Sequence, residues 1–124
     1  MNNIIFYDTC ALLSESKKAF ETNEKFYISS ITLNELESIK TASYKDEEVK
    51  YNARMLLHLL EENEDKYDII LYNTKYEKRR EQIGLLDNND SKIIVSAYIL
   101  YELLFLLLPI YILLACILLI ILKF

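Results

Sequence analysis

Three of the chain's acidic residues occupy junctions in the sequence pattern rather than solvated helix faces. Asp8 closes the short apolar run of residues 3–7. Glu35 falls on the first turn of a helical pattern that follows a second apolar run, and Asp90 falls where a later helical pattern opens. If these junctions meet on one edge of a sheet, the three carboxylates repel one another unless a divalent cation lies between them. Mg²⁺ or Mn²⁺ suits such oxygen ligands and activates water for phosphodiester cleavage. Each acid also has a plainer reading. Asp8 can close a turn. Glu35 lies in Thr32-Leu-Asn-Glu35, the pattern of a capping box in which Thr32 caps the helix and Glu35 reaches back to it. Asp90, or Asn89 beside it, suits the N-cap of a helix beginning at Ser91.

The elements that must position these acids follow from the spacing of apolar residues. Residues 3–7 and Phe26-Tyr-Ile-Ser-Ser read as buried strands. The stretch Tyr67-Asp-Ile-Ile-Leu-Tyr is a third strand candidate. Ala11 to Phe20 reads as a short helix, and Ile31, Leu33, Leu36 and Ile39 recur at helical spacing. Between Asp46 and Glu64, Val49, Ala53, Leu56, Leu57 and Leu60 mark an amphipathic helix. Lys75 to Glu81 is a charged helical stretch, Asp87-Asn-Asn-Asp90 a polar turn, and Ile93, Ile94 and Ala97 open the next helix. The resulting order, β-α-β-α-α-β-α-α, implies an α/β fold with a doubly wound parallel sheet flanked by helices. Ligands in such folds gather at the carboxyl ends of strands, where Asp8 stands.

Composition narrows the chemistry. The chain has 124 residues, enough for one compact domain. It holds a single Gly (Gly84), which excludes glycine-rich phosphate loops and argues against nucleotide cofactors. Cys10 and Cys116 are far apart with no paired spacing, consistent with a reducing, cytoplasmic setting. The N-terminal residues lack the charged and apolar regions of a signal peptide. A net charge of −5 is the wrong sign for holding nucleic acid by phosphate neutralisation alone, so any such contact is local or metal-mediated.

The stretches Ile5-Phe-Tyr-Asp8-Thr9-Cys-Ala-Leu-Leu13, Tyr27-Ile-Ser-Ser-Ile-Thr-Leu-Asn-Glu35-Leu-Glu-Ser-Ile-Lys40, Tyr51-Asn-Ala-Arg54 and Asn88-Asn-Asp90-Ser-Lys-Ile-Ile-Val-Ser-Ala97 resemble, in that order, PIN domains of the kind found beside PhoH-type ATPases and in bacterial or phage genomes. The resemblance assigns residues 1–101 to a PIN-like domain. It implies a metal-dependent endoribonuclease acting on single-stranded RNA, with Asp8, Glu35 and Asp90 holding Mg²⁺ or Mn²⁺. Thr9 is similar to the family's small polar residue that supports the first aspartate. An antitoxin or a PIN-domain homodimer is an implied partner. Two departures are evident: Cys10 stands where the family has Asn or another small polar residue, and the family's next strand with its further acid has no counterpart, since Leu103 to Lys123 contains no acid. Weak or absent cleavage of single-stranded RNA is the expectation from both.

Lys75, Lys78, Arg79 and Arg80, with Tyr76, form a basic stretch that suits RNA phosphates and a base, against the plainer reading of a solvated helix face. His58, between Leu57 and Leu59, reads as structural. Asp87 is a turn residue that could substitute as a ligand. Leu103 to Leu122 carry no charge over about 20 residues, the length that crosses a bilayer as a helix. Three readings of this segment stay open: a C-terminal membrane anchor on a cytoplasmic domain, the tail of a truncated PIN domain, and a buried helix. The rivals to a nuclease are a non-catalytic PIN-fold remnant or interaction module and a receiver-like signalling domain, the latter lacking paired acids after the first strand.

Overall fold

The computed structural model describes residues 4–123. Three short strands, β1 (Ile5–Phe6), β2 (Phe26–Ser29) and β3 (Tyr67–Ile70), form a parallel sheet in the order β1-β2-β3. Ile5 pairs with Phe26, and Phe26 in turn with Tyr67. Helices α1 (Thr9–Glu15) and α2 (Lys18–Glu21) join the first two strands; α3 (Ser30–Thr41) and α4 (Glu47–Glu62) join the second pair. After β3 come α5 (Thr74–Ile83) and a long α6 (Asn89–Lys123). The parallel sheet flanked by helices and the long C-terminal helix agree with the sequence pattern. A reversal of strand order would need a further strand beside β1, and residues 89–123 form one helix instead.

The apolar positions that set the helical periods are the ones that close the core. On α4, Ala53, Leu56 and Leu60 are buried at intervals of three and four, against Leu36 of α3 and Leu12 of α1. Phe26 on the middle strand is the hub: the rings of Tyr7 and Phe20 meet it edge-on at 5.2 and 5.4 Å, and Tyr67 stacks on it at 5.7 Å. Ile93, Val95 and Ile99 bury the start of α6. Beyond it the helix leaves the domain, and from Leu103 to Leu122 no described side chain is buried. The helix is long and apolar enough to cross a membrane by length and composition. Its exposure removes the buried-helix reading of the tail.

Local chemistry moves several boundaries. The helix expected over Ala11–Phe20 breaks at Ser16, whose backbone takes φ 50° while its N–H donates to the Leu12 carbonyl at 2.8 Å. Ser29, not Thr32, caps α3: its Oγ accepts from the Ile31 N–H at 3.1 Å. The capping box expected at Thr32 and Glu35 is therefore not formed, because the helix begins a turn earlier and Thr32 lies buried within it. For α6 the cap is Asn88, whose Oδ1 accepts from the Ser91 N–H at 2.8 Å, rather than Asn89 or Asp90. The strand expected from residue 3 begins at Ile5, and residue 3 lies outside the described residues. The third strand stops at Ile70, and the Tyr72 N–H donates to Ser30 Oγ at 2.9 Å.

Candidate active site

Asp8, Glu35 and Asp90 line one cleft of about 410 Å³ at the carboxyl end of β1. Each arrives on a different element. Asp8, separated from the end of β1 by Tyr7 alone, caps α1, with Oδ1 accepting from the Ala11 N–H at 2.7 Å; its second oxygen has no bond among the described residues. Glu35, half-buried in α3, accepts at Oε1 from the Thr9 hydroxyl at 2.7 Å. Asp90 is exposed on the first turn of α6, where the helix dipole favours a negative charge. None of the three forms a salt bridge among the described residues.

Thr9 acts differently from the role expected of it. It is buried, and its hydroxyl fixes Glu35 rather than Asp8, while lying 3.2 Å from the hydroxyl of fully buried Thr32. A buried Thr–Thr–Glu chain thus ties α1 to α3 and orients the glutamate. Cys10 is an exposed free thiol on the rim of the same cleft.

Pattern reasoning missed Tyr44 and Lys45, which the loop between α3 and α4 brings to this cleft. Tyr44 is 84% exposed, and the Lys45 ammonium sits 5.7 Å from its ring centre. An exposed aromatic beside a cation is the only local signal that marked them, and it falls in a stretch without apolar periodicity. Three carboxylates and one lysine leave the cleft net negative, which draws cations.

A family model for the PIN domain matches residues 5–104. The chain belongs to the PIN domain family. No curated protein and no solved structure matches it. PIN domains are in general nuclease domains and typically use divalent metals. The match runs from β1 into the first turns of α6 and so includes all three junction acids.

In this PIN domain the donor chemistry of the cleft suits a hard divalent cation, since all three acids present oxygen and one of them is held in place by a buried hydroxyl. Among the described residues, no group of three Asp, Glu, His or Cys side chains stands close enough to hold a metal ion unaided. The acids thus match such a cation in donor type and not in spacing.

The basic stretch divides. Arg80 is buried: its guanidinium bonds Glu77 at 2.5 Å and the Leu85 carbonyl at 2.6 Å, so the expectation that it touches RNA is corrected. The Arg80 bond, with one from the Tyr72 hydroxyl, holds the Glu77 carboxyl down at about 2. Lys75, Lys78 and Arg79 line a separate cleft between α5 and α6, away from the acids. Asp87 lies 3.6 Å from the Lys92 ammonium and does not line the acidic cleft. His58 is exposed on α4.

Proposed function

We propose that this chain is a PIN-type endoribonuclease that cleaves single-stranded RNA with Mg²⁺ or Mn²⁺ held by Asp8, Glu35 and Asp90, its domain tethered to a membrane by α6. The observation that carries the reading is the convergence of carboxylates from β1, α3 and α6 on one cleft, with Glu35 oriented by the Thr9 hydroxyl. A divalent cation held by Asp8, Glu35 and Asp90 would supply charge neutralisation at the phosphodiester and a water acidic enough to act as nucleophile at neutral pH. The chain's own residues do the rest. Asp8 keeps one oxygen free because the Ala11 N–H engages only the other. Thr9 holds the Glu35 carboxylate against rotation, which limits the reorganisation needed on binding. Lys45 offers a cation for a flanking phosphate and Tyr44 a face on which a base can stack.

A second reading has its own observation. No compact trio of ligands occurs among the described residues, which favours a PIN fold retained without turnover. Cleavage of a fluorogenic single-stranded RNA by the full chain in Mn²⁺ separates the two. Turnover that disappears in Asp8→Asn, Glu35→Gln and Asp90→Asn supports the nuclease; no turnover by the parent chain at high enzyme excess supports the retained fold.

A further inference from the structure

The cleft between α5 and α6 has a composition that neither the acidic site nor the core accounts for. Lys75, Lys78 and Arg79, at spacings of three and four, share one face of α5 and look across at Ile99, Glu102, Leu103 and Leu106 on α6. Arg79 is engaged, with Nη2 at 3.0 Å from Glu102 Oε1 and its guanidinium 5.6 Å from the Tyr98 ring centre. Lys75 and Lys78 are exposed and form no salt bridge among the described residues. The cleft, about 530 Å³, thus holds two uncompensated positive charges in a chain whose net charge is −5.

Its position along α6 is what gives these charges a partner. Glu102 is the last charged residue before the uncharged run that begins at Leu103. From Ile99 to Leu106 the cleft runs roughly 10 Å along the helix axis at 1.5 Å per residue, and so straddles that boundary. The two helices run antiparallel with Arg79 against Glu102, so Lys78 and Lys75 stand on α5 across from Leu103 and Leu106, which are 46% and 64% exposed. With α6 in a bilayer, this level is the interface: the long lysine side chains reach their ammonium groups up to the headgroups, while Leu103 and Leu106 open the acyl region. We infer that this cleft binds an anionic phospholipid, its phosphate between Lys75 and Lys78 and one acyl chain along Leu103 and Leu106. The inference rests on the membrane tether proposed above. RNA fits the cleft less well, because bases stack best on aromatic faces and the wall offered by Leu103 and Leu106 is aliphatic.

Each cation near an anionic bilayer surface strengthens binding roughly fivefold, so losing both lysines costs on the order of 25-fold. The test is native mass spectrometry of the full chain released from detergent micelles containing phosphatidylglycerol or phosphatidylcholine, with carbonate extraction of cell membranes run alongside. The expected result is that the parent chain retains phosphatidylglycerol in preference to phosphatidylcholine, Lys75→Gln/Lys78→Gln loses that preference, and Lys75→Arg/Lys78→Arg keeps it. Equal retention of phosphatidylglycerol by the parent and the glutamine variant overturns the inference. So does a glutamine variant that loses binding to a single-stranded RNA oligonucleotide while holding lipid unchanged, which would make the surface an RNA contact. Chain that resists carbonate yet shows no lipid preference refutes this site alone. Chain released by carbonate refutes the tether, and the lipid site with it.

Discussion

Replacing Thr9 by Val tests whether the buried hydroxyl chain serves the acidic cleft or only the packing of α1 on α3. The substitution keeps the shape of a side chain that is 7% exposed and removes the hydroxyl that donates to Glu35 at 2.7 Å. A hydrogen bond to a charged group contributes about 1.5–3 kcal/mol, and water reaching half-buried Glu35 recovers part of it. The partner hydroxyl of Thr32, fully buried, also loses its neighbour at 3.2 Å. A destabilisation of about 2 kcal/mol follows, which for a chain of this size lowers the melting temperature by roughly 6–10 °C. Thermal unfolding in detergent, followed by circular dichroism, measures it. If Glu35 is a ligand, the lost support also weakens Mn²⁺ binding by about 10- to 100-fold, and Thr9→Ser restores both properties. A Thr9→Val chain that melts early but binds Mn²⁺ as the parent does would refute the reasoning, leaving Thr9 as a tie between helices with no bearing on the cleft.

Gly84 ends α5 in the left-handed conformation at φ 84°, with its N–H donating to the Arg80 and Glu81 carbonyls, so Gly84→Ala is expected to cost about 1 kcal/mol in chemical denaturation although its Cβ meets open space. Glu77 has a carboxyl held at about 2 against an ordinary 4.5, chiefly by its hydrogen bond to Arg80, so its stabilising contribution is present above pH 4.5 and is lost as pH falls from 4.5 towards 2. Melting temperatures across that window should decline less steeply in Glu77→Gln than in the parent. Carbonate extraction should leave the full chain in the membrane pellet and release a version ending at Tyr101; release of the full chain as a monodisperse species would remove α6 as a span.

The parts of the fold written in periodic apolar residues were legible before any coordinates. Ala53, Leu56 and Leu60 mark the buried stripe of α4, and Phe26 and Ile28, two residues apart, mark the buried face of β2. Junction acids were legible for a related reason: strand ends and helix starts are where an α/β sheet gathers its ligands, and Asp8, Glu35 and Asp90 do line one cleft. Capping was harder to read. Ser29, Ser30 and Thr32 all offer a suitable oxygen within four residues, and only the length of β2 decides that Ser29 takes the role and Thr32 is buried. That choice is what releases Glu35 from a capping box and delivers it to Thr9. Arg80 misled because a run of basic residues gives no sign of which one turns inward, a matter settled by Glu77 one turn earlier and the carbonyl of Leu85 after the helix. Tyr44 and Lys45 carry no period at all, and their place in the cleft comes from the path of a loop.

Titration of the metal-free full chain with Mn²⁺, followed by the loss of the free-ion electron paramagnetic resonance signal, asks whether the three carboxylates act as one site. Saturable binding by the parent chain is expected, sharply weakened in Asp8→Asn and in Glu35→Gln, with the melting transition stabilised by about 2.7 kcal/mol at a hundredfold excess over the dissociation constant. Mn²⁺ that stays free at every concentration, or that binds Asp8→Asn as tightly as the parent, would show that Asp8, Glu35 and Asp90 share a cleft without sharing a cation.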